Sequence, residues 1–596
     1  MSGHGAQRAA QSANLVNLNV NPCKMCMPMG AVSALSGIKS CMTILHGSQG
    51  CATYIRRHMA THYNEPIDIA SSSLTEEGTV FGGEANLLKG LKNLINLYNP
   101  EVIGVCTTCL AETIGEDVAA IAKKFYEQNP DTAVRIINVA SPGYGGTQNE
   151  GWFAALRALV EQVNPDKTSS NKINVITPQI SPADTRWLKN FFTEMGVDYI
   201  LLPDISDNLD GVTEKPYNRL KMGGTPLSEI AKMAGARLTI EFSEYTNPDN
   251  SPADYLRKAY GIPLIKLPLP IGLRAINTLI ETLENSGGAV TQNIIKERGR
   301  YLDAMVDSHK YCAEARAVIF GEPDFVTAVV RLCCENGILP VVTATASVSD
   351  KLKEALAAET KECQEFRLTQ ETHVVDDSDF AEIEKLCVKT EANLLIGSSD
   401  ARRVSHKLNI PLIRCAFPIH DHIGGQRTRV LGFEGSLNLL DQTANAMIDK
   451  TETSFRESLY QQFYKGEPEQ SETRAPAKAE TRRFAVATKT GAIVDLHFGH
   501  AQEFYIYESD GEQVKFLEKR GVSRYCDGSA CGDKEDRWTS IINALHDCAA
   551  VLALRTGMEP ERMLKENGIN VITTYERVET AVLLAAKERS EVYGIT

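Results

Sequence analysis

Between about residue 30 and residue 450 the chain repeats one pattern, a short β-branched apolar run followed by an amphipathic stretch long enough for a helix. The runs include 102–105, 134–139, 173–176, 199–202, 317–320, 340–343 and 394–397. Runs that are apolar throughout, rather than alternating, belong to strands buried on both faces, and strands separated by helices pair in parallel. The pattern therefore predicts an α/β protein. A chain of 596 residues exceeds what one hydrophobic core can hold. The repeats divide into three Rossmann-like, doubly wound parallel-sheet domains, at about 22–168, 172–300 and 312–450. Ser181-Pro182 and Thr225-Pro226 read as helix starts, each a hydroxyl cap followed by proline at the first helical position.

Composition changes at both ends. Residues 1–20 are polar and read as an arm, and 466–483 lacks the aliphatic side chains a core needs, so it reads as a linker. Beyond it, apolar runs at 484–488, 503–508 and 549–554 mark a smaller α/β domain spanning 484–596. A net charge of −14 argues against nucleic acid or an anionic membrane as partner. No apolar run reaches the roughly 18–20 residues a bilayer span requires, and the N-terminus has no apolar signal region. The expectation is a cytoplasmic protein whose fifteen cysteines are thiols or metal ligands rather than a disulfide framework.

Three cysteines have settings that suit metal binding. Cys26 follows Asn21-Pro-Cys-Lys-Met and precedes Met-Pro-Met-Gly30, so Pro22, Pro28 and Gly30 are expected to hold Cys23 and Cys26 in an irregular segment. Cys51 ends a glycine-rich loop, His46-Gly-Ser-Gln-Gly, and begins a helical stretch. A thiolate there gains from the partial positive charge of a helix N-terminus. Cys109 lies just past the run at 102–105, at the carboxyl end of its strand, where open α/β sheets place their sites. Spacing leaves two alternatives open: structural zinc held by the pairs Cys23/Cys26 and Cys106/Cys109, and a redox dithiol at Cys106/Cys109. Cys312, Cys333, Cys334, Cys363, Cys387 and Cys415 read as small buried hydrophobes. The loop 143–151 fails the GxGxxG spacing and no Walker A sequence occurs.

The stretches 21–31, 46–51 and 107–117, with Phe81-Gly-Gly, Ser181-Pro-Ala-Asp184, Leu202-Pro-Asp-Ile-Ser206, Gly223-Gly-Thr-Pro226 and Phe417-Pro-Ile-His-Asp421, resemble β-type subunits of nitrogenase component 1, in the same order along about residues 20–450. The resemblance implies pairing with an α-type subunit in an α2β2 heterotetramer, and an iron–sulfur cluster at the interface. Carried over residue by residue, it implies Cys26, Cys51 and Cys109 as metal ligands, with the choice between Cys23 and Cys26 left open. Thr147, in Gly143-Tyr-Gly-Gly-Thr147, stands where the catalytic family members have a serine. The stretches 54–58 and 68–73 are similar to the NifN branch, the β-subunits of the scaffold on which the iron–molybdenum cofactor matures. The other branch is the catalytic molybdenum–iron protein.

At the far end, 491–501 (Gly-Ala-Ile-Val-Asp-Leu-His-Phe-Gly-His-Ala) resembles the NifX/NafY family, also found at the C-terminus of NifB, and 525–532 fits the NifB version. That resemblance implies an RNase H-like α/β fold that binds iron–molybdenum cofactor or its precursor. It makes His497, His500, Cys526 and Cys531 candidate cofactor-binding residues. A carrier fused to a scaffold subunit would turn hand-over into an intramolecular step. The expected cofactors are then a 4Fe–4S cluster, or an eight-iron cluster in the catalytic alternative, together with the molybdenum cofactor or its precursor. The expected partners are a NifE-like α-subunit, the nitrogenase Fe protein, NifB as precursor donor and apo-dinitrogenase as acceptor, with no nucleic acid and no membrane. The segment 417–427 reads as loop architecture bordering a precursor cavity.

Overall fold

The computed structural model describes residues 23–587 apart from 214, 216, 217, 346, 349, 368–371, 464–480, 512 and 523–533. The arm at 1–20, most of the linker, Cys526 and Cys531 lie outside the described residues. The chain forms two compact units, residues 1–465 and 466–596.

The first unit holds three sheets, all parallel. The first consists of β1 (Cys41–His46), β2 (Ala70–Ser71), β3 (Val102–Thr107) and β4 (Arg135–Val139), in the order β2-β1-β3-β4. The second contains β5 (Ile173–Ile176), β6 (Tyr199–Leu202), β7 (Leu238–Glu241) and β8 (Leu264–Lys266), ordered β6-β5-β7-β8. The third comprises β9 (Arg316–Gly321), β10 (Leu339–Thr345), β11 (His373–Asp376), β12 (Leu394–Gly397) and β13 (Leu412–Arg414), ordered β11-β10-β9-β12-β13. Each sheet grows outward in both directions from its first strand. The order therefore reverses at β1/β3, β5/β7 and β9/β12, and such reversals open a crevice beyond the carboxyl ends of the strands. The apolar runs behave as expected: β3, β5, β10 and β12 are buried along their whole length.

The second unit is a mixed sheet of β14 (Arg482–Val486), β15 (Glu503–Ser509), β16 (Val514–Gly521), β17 (Ala550–Ala553) and β18 (Asn570–Thr573), ordered β16-β15-β14-β17-β18. β14, β15 and β16 pair antiparallel, while β14, β17 and β18 pair parallel. Cores form on both faces, around Phe498, Phe504 and Ile541 on one and around Phe484, Val494 and Val582 on the other.

Seven helices position the site: α1 (Met27–Leu35), α2 (Gln49–Tyr63), α3 (Cys109–Ile114), α4 (Gln148–Gln162), α5 (Pro182–Glu194), α6 (Leu227–Lys232) and α7 (Pro323–Glu335). Every residue of α1 is buried. It lies against α4 at backbone contact, since a Cβ on Gly30 would fall 1.8 Å from the Gln148 carbonyl and one on Gly151 1.8 Å from that of Met27. Cys23 and Cys26 lie in non-helical backbone as expected, but the helix starts directly after them: Pro28 occupies its first turn, where its missing N–H costs nothing, and Gly30 supplies the close approach. Ser181 caps α5 as expected, accepting the Asp184 amide at 2.9 Å. By contrast, α6 starts one residue later than expected, because the Thr225 hydroxyl donates to the Leu201 carbonyl at 2.6 Å and accepts the Asp204 amide, leaving Pro226 as the cap. Among the described residues no helix is long and apolar enough to cross a membrane.

Candidate functional site

The first sheet's reversal lies between β1 and β3, whose last residues, His46 and Thr107, are paired in register. Cys51 follows β1 in the first turn of α2, and Cys109 follows β3 as the first residue of α3. Cys26 is the cap residue of α1. Each cysteine thus stands where a helix leaves amide N–H groups unpaired, a setting that favours negative charge. Cys26 and Cys109 are exposed and Cys51 half-buried.

Gly143 lies between two of them: a Cβ there would be 3.1 Å from Cys109 Sγ and 3.7 Å from Cys26 Cβ. Its own N–H donates to Cys109 Sγ at 3.1 Å. Surrounding protein pushes the Cys26 thiol up, and the charges of Cys51 and Cys109 push it further. Deprotonated together, sulfurs collected in this way would need a cationic group to balance them. Among the described residues, no three His, Cys, Asp or Glu side chains converge tightly enough to hold one metal ion. The donor set, thiolates spread around a glycine, fits the wider span of an iron–sulfur cluster.

The two CxxC pairs do not come together. Cys23 is buried against the third sheet and Cys106 in the core beneath the first, both pushed far up by burial, so neither completes a four-thiol zinc site with Cys26 and Cys109. Of the cysteines read as packing residues, Cys312, Cys333 and Cys387 are buried in cores, and Cys334 and Cys415 pack against one. The side chain of Cys363 lies outside the described residues.

The Cys51 loop is held from behind. His46 is fully buried, with Nδ1 2.9 Å from Ser72 Oγ and Nε2 3.3 Å from Glu116 Oε2, and burial lowers its pKa. Ser72 Oγ also accepts the Gly47 amide at 3.0 Å. A Cβ on Gly47 would fall 1.9 Å from Thr108 Oγ1, so glycine is required for the loop to pass over the start of α3. Thr147, the serine-equivalent position, caps α4. Its hydroxyl meets Glu150, Glu322 and Ser347, and its backbone bridges to Cys26.

A cavity of about 70 Å³ lies where the carboxyl ends of the second and third sheets meet the end of α2 and the start of α4. Phe417, Ile419 and Gly425 from the 417–427 loop line it, with His62, Gln148, Gln179, Asp184, Glu322 and Asp324. Burial pushes Asp184 up to about 6, Asp324 to about 7 and Glu322 to about 8. Burial also lowers His62 to about 4, in keeping with its Nδ1 accepting the Ile419 amide at 2.9 Å. No lysine or arginine lines this space. Among the described residues, this lining therefore offers an anionic metal cofactor no cationic side chain. The sequence reading missed these carboxyls, although Glu322-Pro323 directly after β9 is a legible sign of an acid at a strand's carboxyl end.

In the second unit, His497 and His500 lie 5.2 Å apart between ring centroids, on a short turn packed against the end of β17 through a bridge to Arg555. His497 Nδ1 accepts the Gly499 amide at 3.1 Å. That bond occupies the Nδ1 lone pair, so Nδ1 of His497 is not open to a metal. Imidazole nitrogens of this kind fit an iron-containing cofactor.

Comparison with known proteins agrees with both halves. A family model described as nitrogenase component 1 type oxidoreductase matches residues 26–448, and one described as dinitrogenase iron-molybdenum cofactor matches residues 481–588. The chain is 35% identical over 448 residues to the nitrogenase molybdenum-iron protein beta chain of Methanococcus maripaludis, covering 72% of this chain and 95% of that one. It is 31% identical over 448 residues to the corresponding chain of Clostridium pasteurianum, covering 74% and 96%. It is also 32% identical over 442 residues to the nitrogenase vanadium-iron protein beta chain of Trichormus variabilis, covering 72% and 94%. Among solved structures, nitrogenase Cp1 at pH 6.5 superposes with a TM-score of 0.70 at 30% identity, covering 77% of this chain and 97% of that one.

Proposed function

The chain belongs to the nitrogenase component 1 type oxidoreductases, and from that premise we propose that it is the β-type subunit of a NifEN-like scaffold for iron–molybdenum cofactor biosynthesis. In this reading it pairs with a NifE-like α-type subunit as an α2β2 heterotetramer. Cys26, Cys51 and Cys109 hold its side of an intersubunit iron–sulfur cluster. That cluster supplies electrons to a cofactor precursor, delivered from NifB, while the Fe protein drives insertion of molybdenum and homocitrate. The protein's own part is positional. The ends of α1, α2 and α3 offset thiolate charge, the Gly143 amide donates to sulfur, and the His46–Ser72–Glu116 set keeps the Cys51 loop in place.

The observation that carries the scaffold reading is the second unit. A domain matching the iron–molybdenum cofactor family, with two imidazoles at the carboxyl end of its sheet, follows the component 1 fold in one chain. Tethering a carrier serves a protein that passes cofactor on to apo-dinitrogenase. The central cavity fits the same division of labour, since its described lining offers an anionic cofactor no cation and leaves holding it to the tail or the partner.

A second reading is the catalytic dinitrogenase β-subunit with an eight-iron relay. It is favoured by the three cysteines standing together and by relatives named as molybdenum-iron protein beta chains. Anaerobic purification with the α-type partner separates the two. Cofactor that exchanges onto apo-dinitrogenase, without acetylene reduction by the complex itself, supports the scaffold. Acetylene reduction dependent on Fe protein supports the catalytic subunit.

A further inference from the structure

One hydroxyl, Thr147 Oγ1, faces more acceptors than it has protons. Thr147 is 5% exposed. As the cap of α4, its Oγ1 accepts the Asn149 amide at 3.2 Å. It also meets Glu150 Oε2, Ser347 Oγ at 3.1 Å and Glu322 Oε2 at 3.4 Å. A hydroxyl offers one proton and two lone pairs. Glu150 Oε2 takes the Thr147 amide at 2.8 Å and is the close partner of the hydroxyl, so it is the acceptor of that proton. Toward Glu322, Oγ1 then presents only a lone pair. An ionised Glu322 has nothing to give it, whereas a protonated Glu322 can donate. Ser347 reaches the same oxygen but carries no charge, and its hydroxyl can rotate away.

The residues come from different layers. Thr147 and Glu150 open α4 beside the first sheet, while Glu322 caps α7 at the carboxyl end of β9 in the third. Thr147 is in turn bridged to Cys26. Burial, Glu150 from α4 and Asp324 from its own helix oppose the ionisation of Glu322, and only a hydrogen bond donated by Thr147, whose proton goes to Glu150, would favour it. Cys23, ahead of α1, and Asp400, after β12, share its surroundings. Lys24 lines the adjacent small cavity, but its ammonium pairs with Asp377. Across the central cavity lie Asp184 and His62, the latter held neutral.

We propose that Glu322 carries a proton that it donates to Thr147 while Thr147 donates to Glu150, and that this proton latches the cysteine-bearing first sheet to the third. While it is present, Glu322, Thr147 and Glu150 form one donor-to-acceptor line. When it leaves, Glu322 releases H⁺ to water in the central cavity and becomes a carboxylate. Two carboxylates, Glu322 and the half-buried Glu150, then face one hydroxyl, and the start of α7 draws back from Thr147. The step is an acid dissociation and moves no electron. With Glu322 raised to about 8 by burial, the latch opens on the mildly alkaline side of neutral. The inference rests on hydrogen bonding and burial and does not depend on the cluster assignment.

The test uses the full-length chain from about pH 6 to about pH 9, with two readouts. Infrared spectroscopy follows the C=O stretch of protonated carboxyls. Hydrogen exchange, corrected for its intrinsic pH dependence, follows peptides covering 143–151 and 316–327. The expected result is loss of a carboxyl band with a midpoint near 8, and a roughly ten-fold rise in exchange of both peptides over the same interval. E322Q, whose amide donates to Thr147 at every pH, should remove the band and keep exchange low and flat. E150Q, which removes the opposing charge, should move the midpoint to lower pH. An exchange rise that persists in E322Q, a band that E322Q leaves in place, or a midpoint unmoved in E150Q each overturns the latch.

Discussion

At the scale of single residues, the site depends on small side chains as much as on sulfur. Gly47→Ala would place a Cβ 1.9 Å from Thr108 Oγ1, against backbone held on both sides. We expect it to cost about 3 kcal/mol or more in unfolding free energy and to reduce bound iron, because Cys51 follows on that loop. Chemical denaturation and iron analysis of the same preparation check both. Glu322 gives a pH dependence of definite sign. Its folded-state pKa, about 8, lies above the ordinary 4.5, so folding takes up a proton between those values. Its contribution to stability is full below pH 4.5 and is lost as pH rises through 8, by at most about 1.4 kcal/mol per pH unit. Asp324 and Asp184 act in the same direction from lower pH. Denaturation midpoints for E322Q should therefore vary less with pH than those of the unaltered chain, and parallel curves would contradict this. The sequence made Cys26, Cys51 and Cys109 legible through their glycine and proline neighbours. It left Glu322, Asp324 and Asp184 hidden, because their unusual acidity arises from burial between sheets far apart in the chain.

At the scale of elements, the placement of Cys26 depends on how closely α1 lies on α4. Gly30 and Gly151 put the two helices at backbone contact, so Gly151→Ala must force them apart. The expected outcome is destabilisation of about 2–4 kcal/mol and loss of iron ligation at Cys26, with less effect from a comparable change such as Gly299→Ala, which meets nothing within 4 Å. Equal effects of the two would argue against the contact. This packing was not legible beforehand: Pro28 and Gly30 looked like helix breakers, and only the depth of α1 shows that one belongs to a first turn and the other to a helix crossing. Strands were easier to read, since β3, β5 and β12 are short, mostly apolar stretches buried along their whole length and need little tertiary context to be recognised. In the second unit, His500→Ala is expected to lower cofactor binding by ten-fold or more, and His497→Ala to weaken it by less, since the Nδ1 of His497 is already taken by the Gly499 amide. Binding of isolated cofactor to the full-length variants checks the order, and a larger loss in His497→Ala would reverse the assignment.

At the scale of the whole molecule, the chain joins a three-sheet unit, in which Cys26, Cys51 and Cys109 stand at helix starts, to a separate unit that matches the dinitrogenase iron-molybdenum cofactor family. Because the units are separately compact, removal of 467–596 should leave interface iron unchanged while slowing cofactor transfer to apo-dinitrogenase. Loss of interface iron would show that the second unit is part of the site. The sequence distinguished the two units by the composition of the linker, and the resemblance of their motifs named both families. What neither motif nor fold decides is whether the chain makes the cofactor or uses it. The measurement that decides most directly is an iron count with paramagnetic resonance on the complex purified anaerobically with its α-type subunit. The scaffold account predicts about four irons at each interface, in a cluster that gains a paramagnetic signal on reduction. About eight irons per interface, together with acetylene reduction when Fe protein is added, would contradict it.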